Sequence, residues 1–401
     1  MNSIKMVDLK GQYEKIKKEV DESIAQVIES TAFINGPKVK EFQFHLEQYL
    51  DVKHVIPCAN GTDALQVSLM ALGLKAGDEV ITSTFTFIAT AEVIGLLGLT
   101  CKFVDVEWDT FNLDGSQLEK AITPKTKAII PVHLFGQCCN MEKIMQIAKK
   151  HALFVIEDAC QAIGAEFIFK NGKKKKAGTI GDIGCFSFFP SKNLGCYGDG
   201  GAITTNNDEL ARKLRGICNH GMFVQYHHEL LGVNSRLDSI QAAVLDVKLK
   251  YLDEYNAARQ KAALLYNKMF ENHPNIEIPT ISSSSTHIFH QYTLKLKNDD
   301  RQYVIEKMRE AEIPVMVYYP IPLHLQKAFQ NFGYKKGDFP IAEKLSECVI
   351  SLPMHTELTE EQQRFIAEQL IVQEFKSSKV QNGAAISPSN FEGVPEGRGS
   401  L

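Results

Sequence analysis

From Gln12 to Ser30 the apolar residues Tyr13, Ile16, Val20, Ile24, Val27 and Ile28 recur at intervals of three and four, the spacing of one buried face on an amphipathic helix. Beyond it the pattern changes. Short β-rich runs at 55–59, 79–83, 101–106, 128–134 and 154–159 alternate with segments of helical composition around 62–73, 87–97, 116–122 and 140–151. Such alternation predicts an α/β fold with a mainly parallel central sheet covered on both faces. The segment 237–272 is helical in composition without an internal Gly or Pro, and is long enough to cross from a large domain to a second one. From about 275 onward the pattern is α+β, with strands near 290–296, 314–318 and 349–352 and helices near 300–311 and 359–372. The expected organisation is a large domain over residues 1–250 that includes the N-terminal helix, a small C-terminal α+β domain over 251–375, and a flexible tail, native or appended, over 376–401. That tail is rich in Ser, Gly, Pro and Asn and too poor in apolar residues to hold a fold.

Composition narrows the function classes. Of 401 residues, 44% are hydrophobic and 23% charged, which is ordinary for a globular protein. Forty-four basic against forty-eight acidic residues leave a formal charge of −4, so no global field draws the chain to nucleic acid or an anionic membrane. The basic run Lys173 to Lys176 follows Asn171-Gly172, a two-residue hairpin turn, and reads as an exposed hairpin arm. Nine cysteines show no Cys-x-x-Cys pair, as expected of free thiols in a reducing cytosol, and the adjacent His227 and His228 lack partners at metal-ligand spacing, so no metal is expected. The longest apolar segment, 93–101, is shorter than the roughly twenty residues a membrane helix takes, and no signal-type stretch opens the chain. A cytoplasmic protein is expected.

The candidate chemistry lies in Ser187-Phe188-Phe189-Pro190-Ser191-Lys192-Asn193-Leu194-Gly195 and in Phe154-Val155-Ile156-Glu157-Asp158-Ala159. An acid ending one buried strand and a lysine just after another are what pyridoxal phosphate chemistry needs. Asp158 would keep the pyridine nitrogen protonated, and Lys192 would form the Schiff base and later carry a proton. Gly61 and Thr62 follow a strand and open a helix, which aims unpaired N–H groups at one point, where a phosphate fits. The glycines at 195, 198, 200 and 201 are followed by the strand-like Ala202-Ile203-Thr204-Thr205, where a dinucleotide fingerprint would demand a helix.

Five motifs in order then carry a resemblance. They are Ala59-Asn60-Gly61-Thr62-Asp63-Ala64-Leu65, Thr84-Phe85-Thr86-Phe87, Glu157-Asp158-Ala159-Cys160-Gln161, the lysine segment with Gly198-Asp199-Gly200-Gly201-Ala202, and Gly232-Val233-Asn234-Ser235-Arg236-Leu237-Asp238. Over roughly residues 4–370 the chain resembles the sugar-nucleotide aminotransferases of the DegT/DnrJ/EryC1/StrS family, a branch of the fold-type I pyridoxal-phosphate enzymes. The resemblance implies a seven-stranded, mainly parallel sheet. It also implies that Gly61, Thr62, Ser187 and Asn234 hold the cofactor phosphate, the asparagine arriving from a second subunit of a homodimer with shared active sites. Phe87 would stack on the pyridine ring and Gln161 would hydrogen-bond near the cofactor and the sugar. The segment Tyr318-Tyr319-Pro320-Ile321-Pro322-Leu323-His324 resembles the family's sugar-facing stretch, with Tyr318, Tyr319 and His324 as candidate sugar contacts. The family's dehydratase branch carries histidine at the lysine position, so Lys192 argues for amino transfer.

The implied reaction moves an amino group, with glutamate as expected donor, to a keto group of a nucleotide sugar. Within the family the motifs look closest to enzymes acting on UDP-2-acetamido-2-deoxy-3-oxo-glucuronic acid in bacterial surface polysaccharide (lipopolysaccharide) synthesis, and Arg236 would then meet the sugar carboxylate. Tyr318 stands where those enzymes carry histidine, which keeps a dTDP-linked 3- or 4-keto-6-deoxysugar as the alternative. Two rivals differ in kind. A non-catalytic, cofactor-binding regulatory protein would be expected to lack the lysine or the acid. A cysteine desulfurase would need a reactive thiol, for which Cys196 and Cys218 are the candidates.

Overall fold

A computed structural model describes residues 3–297 and 301–380. Its central sheet has seven strands in the order β1 (His54–Cys58), β9 (Gly201–Thr205), β8 (Ile183–Ser187), β5 (Phe154–Asp158), β4 (Thr126–Ile130), β2 (Glu79–Ser83) and β3 (Thr100–Val104). Neighbours from β8 to β3 are parallel, and β9 alone runs against the rest, antiparallel to both β1 and β8. The expected α/β architecture with its mainly parallel sheet is therefore present. Successive strand residues go to opposite faces: Ile81, Ile129 and Val155 enter one apolar cluster, Val80, Ala128 and Ile156 the other. Both faces are buried, which is why these strands read as continuous apolar runs.

The covering helices are α1 (Leu9–Ser30), α2 (Pro37–Leu50), α3 (Gly61–Ala71), α4 (Ala89–Leu96), α5 (Leu118–Ala121), α6 (Met141–His151), α7 (Asp208–Cys218), α8 (Ser239–Leu249) and α9 (Leu252–Phe270). Two hairpins project from this layer, β6 (Glu166–Ile168) with β7 (Lys174–Lys176), and β10 (Met222–Val224) with β11 (His227–His228). The first turns at Gly172, whose φ of 80° is open to glycine at no steric cost. A second, antiparallel sheet of β12 (Ile276–Glu277), β13 (Tyr292–Leu296) and β14 (Val349–Leu352) packs with α10 (Arg301–Glu310) and α12 (Glu360–Val380) around Tyr266, Phe270, Leu294 and Ile350, while α11 (Pro340–Cys348) sends Ala342 and Leu345 into a cluster with the central sheet. Among the described residues no helix is long and apolar enough to cross a membrane.

Four details depart from the sequence expectation. The helical stretch 237–272 is two helices: Lys250 N–H and Tyr251 N–H bond three residues back, to Val247 and Lys248, and the axis breaks there without a Gly or Pro to announce it. The strand expected at 314–318 is a single bridge, Met316 to Ser351, because the chain leaves the sheet toward Pro320 and Pro322, which have no N–H to donate. Helix α12 runs past 376, the expected start of the tail, to Val380. The rest of the expected tail lies outside the described residues. Helices α2 and α7 were not anticipated, although Val39, Phe42, Leu46 and Leu50 repeat at helical spacing after Pro37.

The two layers are bolted by buried polar groups. Arg259 of α9 is 3% exposed, and its Nη1 donates to the carbonyls of Phe289, His290 and Met354 at 3.2, 3.2 and 3.0 Å. Burial lowers its pKa only to about 10, so it stays charged at neutral pH. Replacing Arg259 by Met should lower the unfolding free energy by about 3 kcal/mol, because three buried carbonyls lose a donor at roughly 1 kcal/mol or more each. Urea unfolding followed by circular dichroism measures it. A loss below about 1 kcal/mol would deny Arg259 this role.

Candidate active site

Strand β5 ends on Asp158, whose carboxylate is held from two sides. Thr90 Oγ1, on the first turn of α4, donates to Oδ2 at 2.8 Å, and the Cys160 N–H donates to Oδ1 at 3.2 Å. At the same edge of the sheet α3 begins. Asn60 caps it, Oδ1 accepting from Asp63 N–H at 2.8 Å, and the N–H groups of Gly61 and Thr62 have no partner among the described residues. Gly61 has to be glycine by contact. A Cβ there would lie 2.7 Å from Ser187 Cβ and 2.9 Å from Cys160 Sγ, so the helix start is pressed against the ends of β8 and β5.

Lys192 sits in the loop between β8 and β9. Its N–H bonds Phe189 O at 2.8 Å and Cys196 N–H bonds Phe188 O at 2.8 Å, which folds the loop back on itself. No group among the described residues bonds its Nζ. Burial pushes the amine pKa below its ordinary value, against the opposing pull of the Cys160 thiol and the Asp158 carboxylate nearby. An amine closer to neutrality is a better nucleophile and proton carrier.

A wall of polar and aromatic side chains faces this group. Gln161 Oε1 accepts from Phe135 N–H at 2.8 Å, and its Nε2 donates to Tyr319 Oη at 3.1 Å. The amide thus fixes a tyrosine within the chain. The Tyr319 ring lies 6.4 Å from Phe87 and 6.0 Å from Phe85. Phe87 is 54% exposed, an apolar face with nothing stacked on it. Burial holds the phenols of Tyr318 and Tyr319 above their usual range, so both keep a hydrogen to donate at neutral pH.

His324 does not take the expected position. It is 1% exposed, with Nδ1 2.7 Å from Thr84 Oγ1 and Nε2 3.1 Å from Glu343 Oε1. Both nitrogens are used inside the chain, so His324 pins the 318–324 segment to the end of β2 and leaves none for a sugar. Asn234 and Arg236 form no bond to the Lys192 group among the described residues. Arg236 Nη1 reaches Asn219 Oδ1 at 3.5 Å and borders a cleft of about 530 Å³ with Lys40, Arg212 and Arg215. Gly61, Thr62, Asp158, Gln161, Ser187, Lys192, Phe87 and Tyr319 gather at one edge of the sheet, and Ser235, between Asn234 and Arg236, accepts from Ala59 N–H at 3.1 Å. Sequence reasoning missed Thr90, because its proximity to Asp158 depends on the order β5–β4–β2 and leaves no local signal.

The site fits a phosphate at Gly61 and Thr62, whose N–H groups have no partner among the described residues, and a flat ring against Phe87 with an acid and an amine in reach. Comparison with known proteins bears on which ring. The model of the DegT/DnrJ/EryC1/StrS aminotransferase family matches residues 14–371. The chain is 47% identical over 371 residues to the pleiotropic regulatory protein of Geobacillus stearothermophilus, covering 92% of this chain and 98% of that one. It is 46% identical over 352 residues to the UDP-2-acetamido-2-deoxy-3-oxo-D-glucuronate aminotransferase of Pseudomonas aeruginosa, covering 88% and 95%. Among solved structures, Streptomyces venezuelae DesV in complex with a ketimine intermediate matches at a TM-score of 0.88 and 35% identity, covering 94% of this chain and 99% of that one.

The depressed Lys192 pKa has a consequence for stability. Between the folded value and the ordinary 10.5 the unfolded chain binds the extra proton, so this group makes stability rise with pH across that window. Lys192→Met should therefore stabilise the cofactor-free chain at pH 7, with a gain that shrinks as pH approaches 10.5. Thermal melts across this range measure it, and a gain independent of pH would contradict the assignment.

Proposed function

The chain belongs to the DegT/DnrJ/EryC1/StrS aminotransferase family and is a pyridoxal-phosphate-dependent sugar-nucleotide transaminase; we propose that its acceptor is the 3-keto group of UDP-2-acetamido-2-deoxy-3-oxo-glucuronic acid and its donor glutamate. The observation that carries the site assignment is the convergence of the unbonded Lys192 amine, the braced Asp158 carboxylate and the unspent N–H groups of Gly61 and Thr62 on one edge of the sheet. The substrate assignment is supported by the Pseudomonas aeruginosa relative, whose name specifies that sugar.

In this reading Gly61, Thr62 and Ser187 hold the cofactor phosphate, Phe87 covers the ring and Asp158 faces its nitrogen. The bound cofactor supplies an electron sink for the donor's α-carbon. Lys192 Nζ would hold the cofactor and, as a free amine, would carry the proton taken from the donor's α-carbon. Thr90 and the Cys160 N–H keep the Asp158 carboxylate aimed from two sides. Gln161 and Tyr319 form the wall against which the sugar is oriented, and Tyr318 offers a second phenol.

Asn234 and Arg236 serve the site of a neighbouring subunit in a homodimer. That neither bonds the Lys192 group among the described residues supports this, as do exposed apolar side chains on the flanking segments, Leu231 at 91%, Tyr226 at 82% and Ile34 at 55%. Asn234 would then reach the partner's cofactor phosphate and Arg236 the sugar carboxylate. A cytoplasmic enzyme of bacterial surface polysaccharide synthesis is the setting this substrate implies. The Geobacillus stearothermophilus relative keeps a regulatory reading in view, yet Lys192 and Asp158 are both in place for turnover. The desulfurase rival lacks its thiol: Cys196 and Cys218 are buried, with pKa values pushed up to about 11 and about 12, so neither is a ready thiolate.

Borohydride reduction of the holoenzyme followed by peptide mapping should label Lys192. A label on another lysine would overturn the anchor. Lys192→Ala should stay folded and lose turnover.

Arg236→Lys should weaken turnover of the 3-keto uronate about tenfold more than that of its 6-deoxy counterpart, because lysine keeps the charge but not the fork, and charged hydrogen bonds are worth about 1.5–3 kcal/mol. Equal losses on both sugars would move the assignment to a neutral deoxysugar, such as a dTDP-linked one.

A further inference from the structure

The loop that carries Lys192 is gripped from behind by a second lysine. Lys248, on α8, is 1% exposed, and its Nζ donates to the Gly195 carbonyl at 2.6 Å. No carboxylate pairs with it among the described residues. Around it stand the Cys196 thiol and the Tyr197 ring of the same loop, the ring centroid 5.4 Å from Nζ, and the Arg259 guanidinium of α9. Burial lowers the Lys248 pKa to about 8, with Cys196 opposing and Arg259 adding to the shift.

A buried ammonium without a counter-charge carries a desolvation cost that a single carbonyl only partly offsets. What the ammonium holds is a carbonyl at a point with no freedom. A Cβ on Gly195 would meet Pro190 O at 2.2 Å, so the loop doubles back here, three residues beyond Lys192. Two further side chains grip the same loop. Gln241, two helical turns before Lys248 on the same face of α8, accepts from Tyr197 N–H at 2.8 Å, and Asn193 Nδ2 donates to Asn256 Oδ1 of α9 at 2.7 Å. The Lys192 side chain makes no bond of its own among the described residues, so where its amine points is decided by the loop, and the loop is held by α8 and α9.

We propose that Lys248 is a positioning residue for Lys192: its ammonium locks the Gly195 carbonyl and with it the loop geometry that keeps the Lys192 amine facing Asp158. The inference rests on Lys192 being the working amine, which borohydride mapping of the parent enzyme tests by itself.

The experiment compares Lys248→Met, which keeps the volume and loses the donor, with Lys248→Gln, which keeps a shorter neutral donor. Full-length protein is used with and without cofactor. Both variants should fold, with melting temperatures within about 5 °C of the parent. In Lys248→Met, hydrogen exchange at the Lys192 and Cys196 amides should rise about tenfold or more, in cofactor-free and loaded protein alike. Its kcat should fall about ten- to a hundredfold while the donor KM changes less than about threefold, and Lys248→Gln should recover part of the loss. Unchanged exchange and kcat in a folded Lys248→Met protein would overturn the proposal. So would failure of both variants to fold, which would make Lys248 a requirement of the fold alone. If Lys248→Met has the predicted exchange and kcat but the borohydride label maps elsewhere, it is the reading of Lys192 that fails and the loop clamp that stands.

Discussion

Everything at the site depends on parallel strands ending at one edge. Strands β8, β5, β4 and β2 run the same way, so Ser187, Asp158 and the Thr84–Phe87 motif emerge together although more than a hundred positions separate the first from the last. Ligand sites of open α/β sheets lie outside such carboxyl ends because the ladder stops there and backbone groups are free. Alternation along β5 then divides two acids between two tasks. Glu157 points away from Asp158 and is fully buried, accepting from His133 Nε2 and from the N–H groups of Gly178, Ile180 and Gly181. It ties the strand end to the loops beneath, and Asp158 is left for the site.

The second layer supplies the wall of the site, and its placement is as rigid as the sheet edge. Leu323 N–H bonds Thr84 O at 2.8 Å, and the Thr84 hydroxyl meets His324, so the 318–324 segment is fastened to the end of β2. From Tyr319 the contacts run through Gln161 to Phe135, whose carbonyl accepts from His290 N–H at 2.8 Å. Asp105, just past β3, caps α11 by accepting from Ile341 and Ala342 N–H at 2.9 and 2.8 Å. These bonds couple Tyr319 and Gln161 to the sheet whose edge carries Asp158 and the Lys192 loop.

Charge without counter-charge recurs in this molecule at points of control. Lys248 and Arg259 are buried cations whose pKa values fall through burial, and both bond only carbonyls among the described residues. Each costs desolvation that an apolar residue would avoid. The carbonyls they hold belong to the lysine loop and to the junction of the two layers, where backbone leaves regular structure and water is excluded. A cation with several donors satisfies those acceptors where no ladder can.

Local pattern was enough for most of the architecture. The strands of the central sheet, the helices between them and the Asn-Gly hairpin follow from periodicity and turn chemistry, which act over a few residues. That Lys192, Asp158 and Gly61 follow or end strands was legible too, because strand and turn signals are local. What the sequence could not determine were relations across the fold. The break between α8 and α9 carries no Gly or Pro, and the burial of His324 depends on Thr84 and Glu343 meeting it from other elements. That Thr90 braces Asp158, and that Lys248 holds the loop of Lys192, is decided by the order of the strands and the packing of α8. Burial and hydrogen-bond partners are properties of neighbours in space, and only the tertiary structure chooses those.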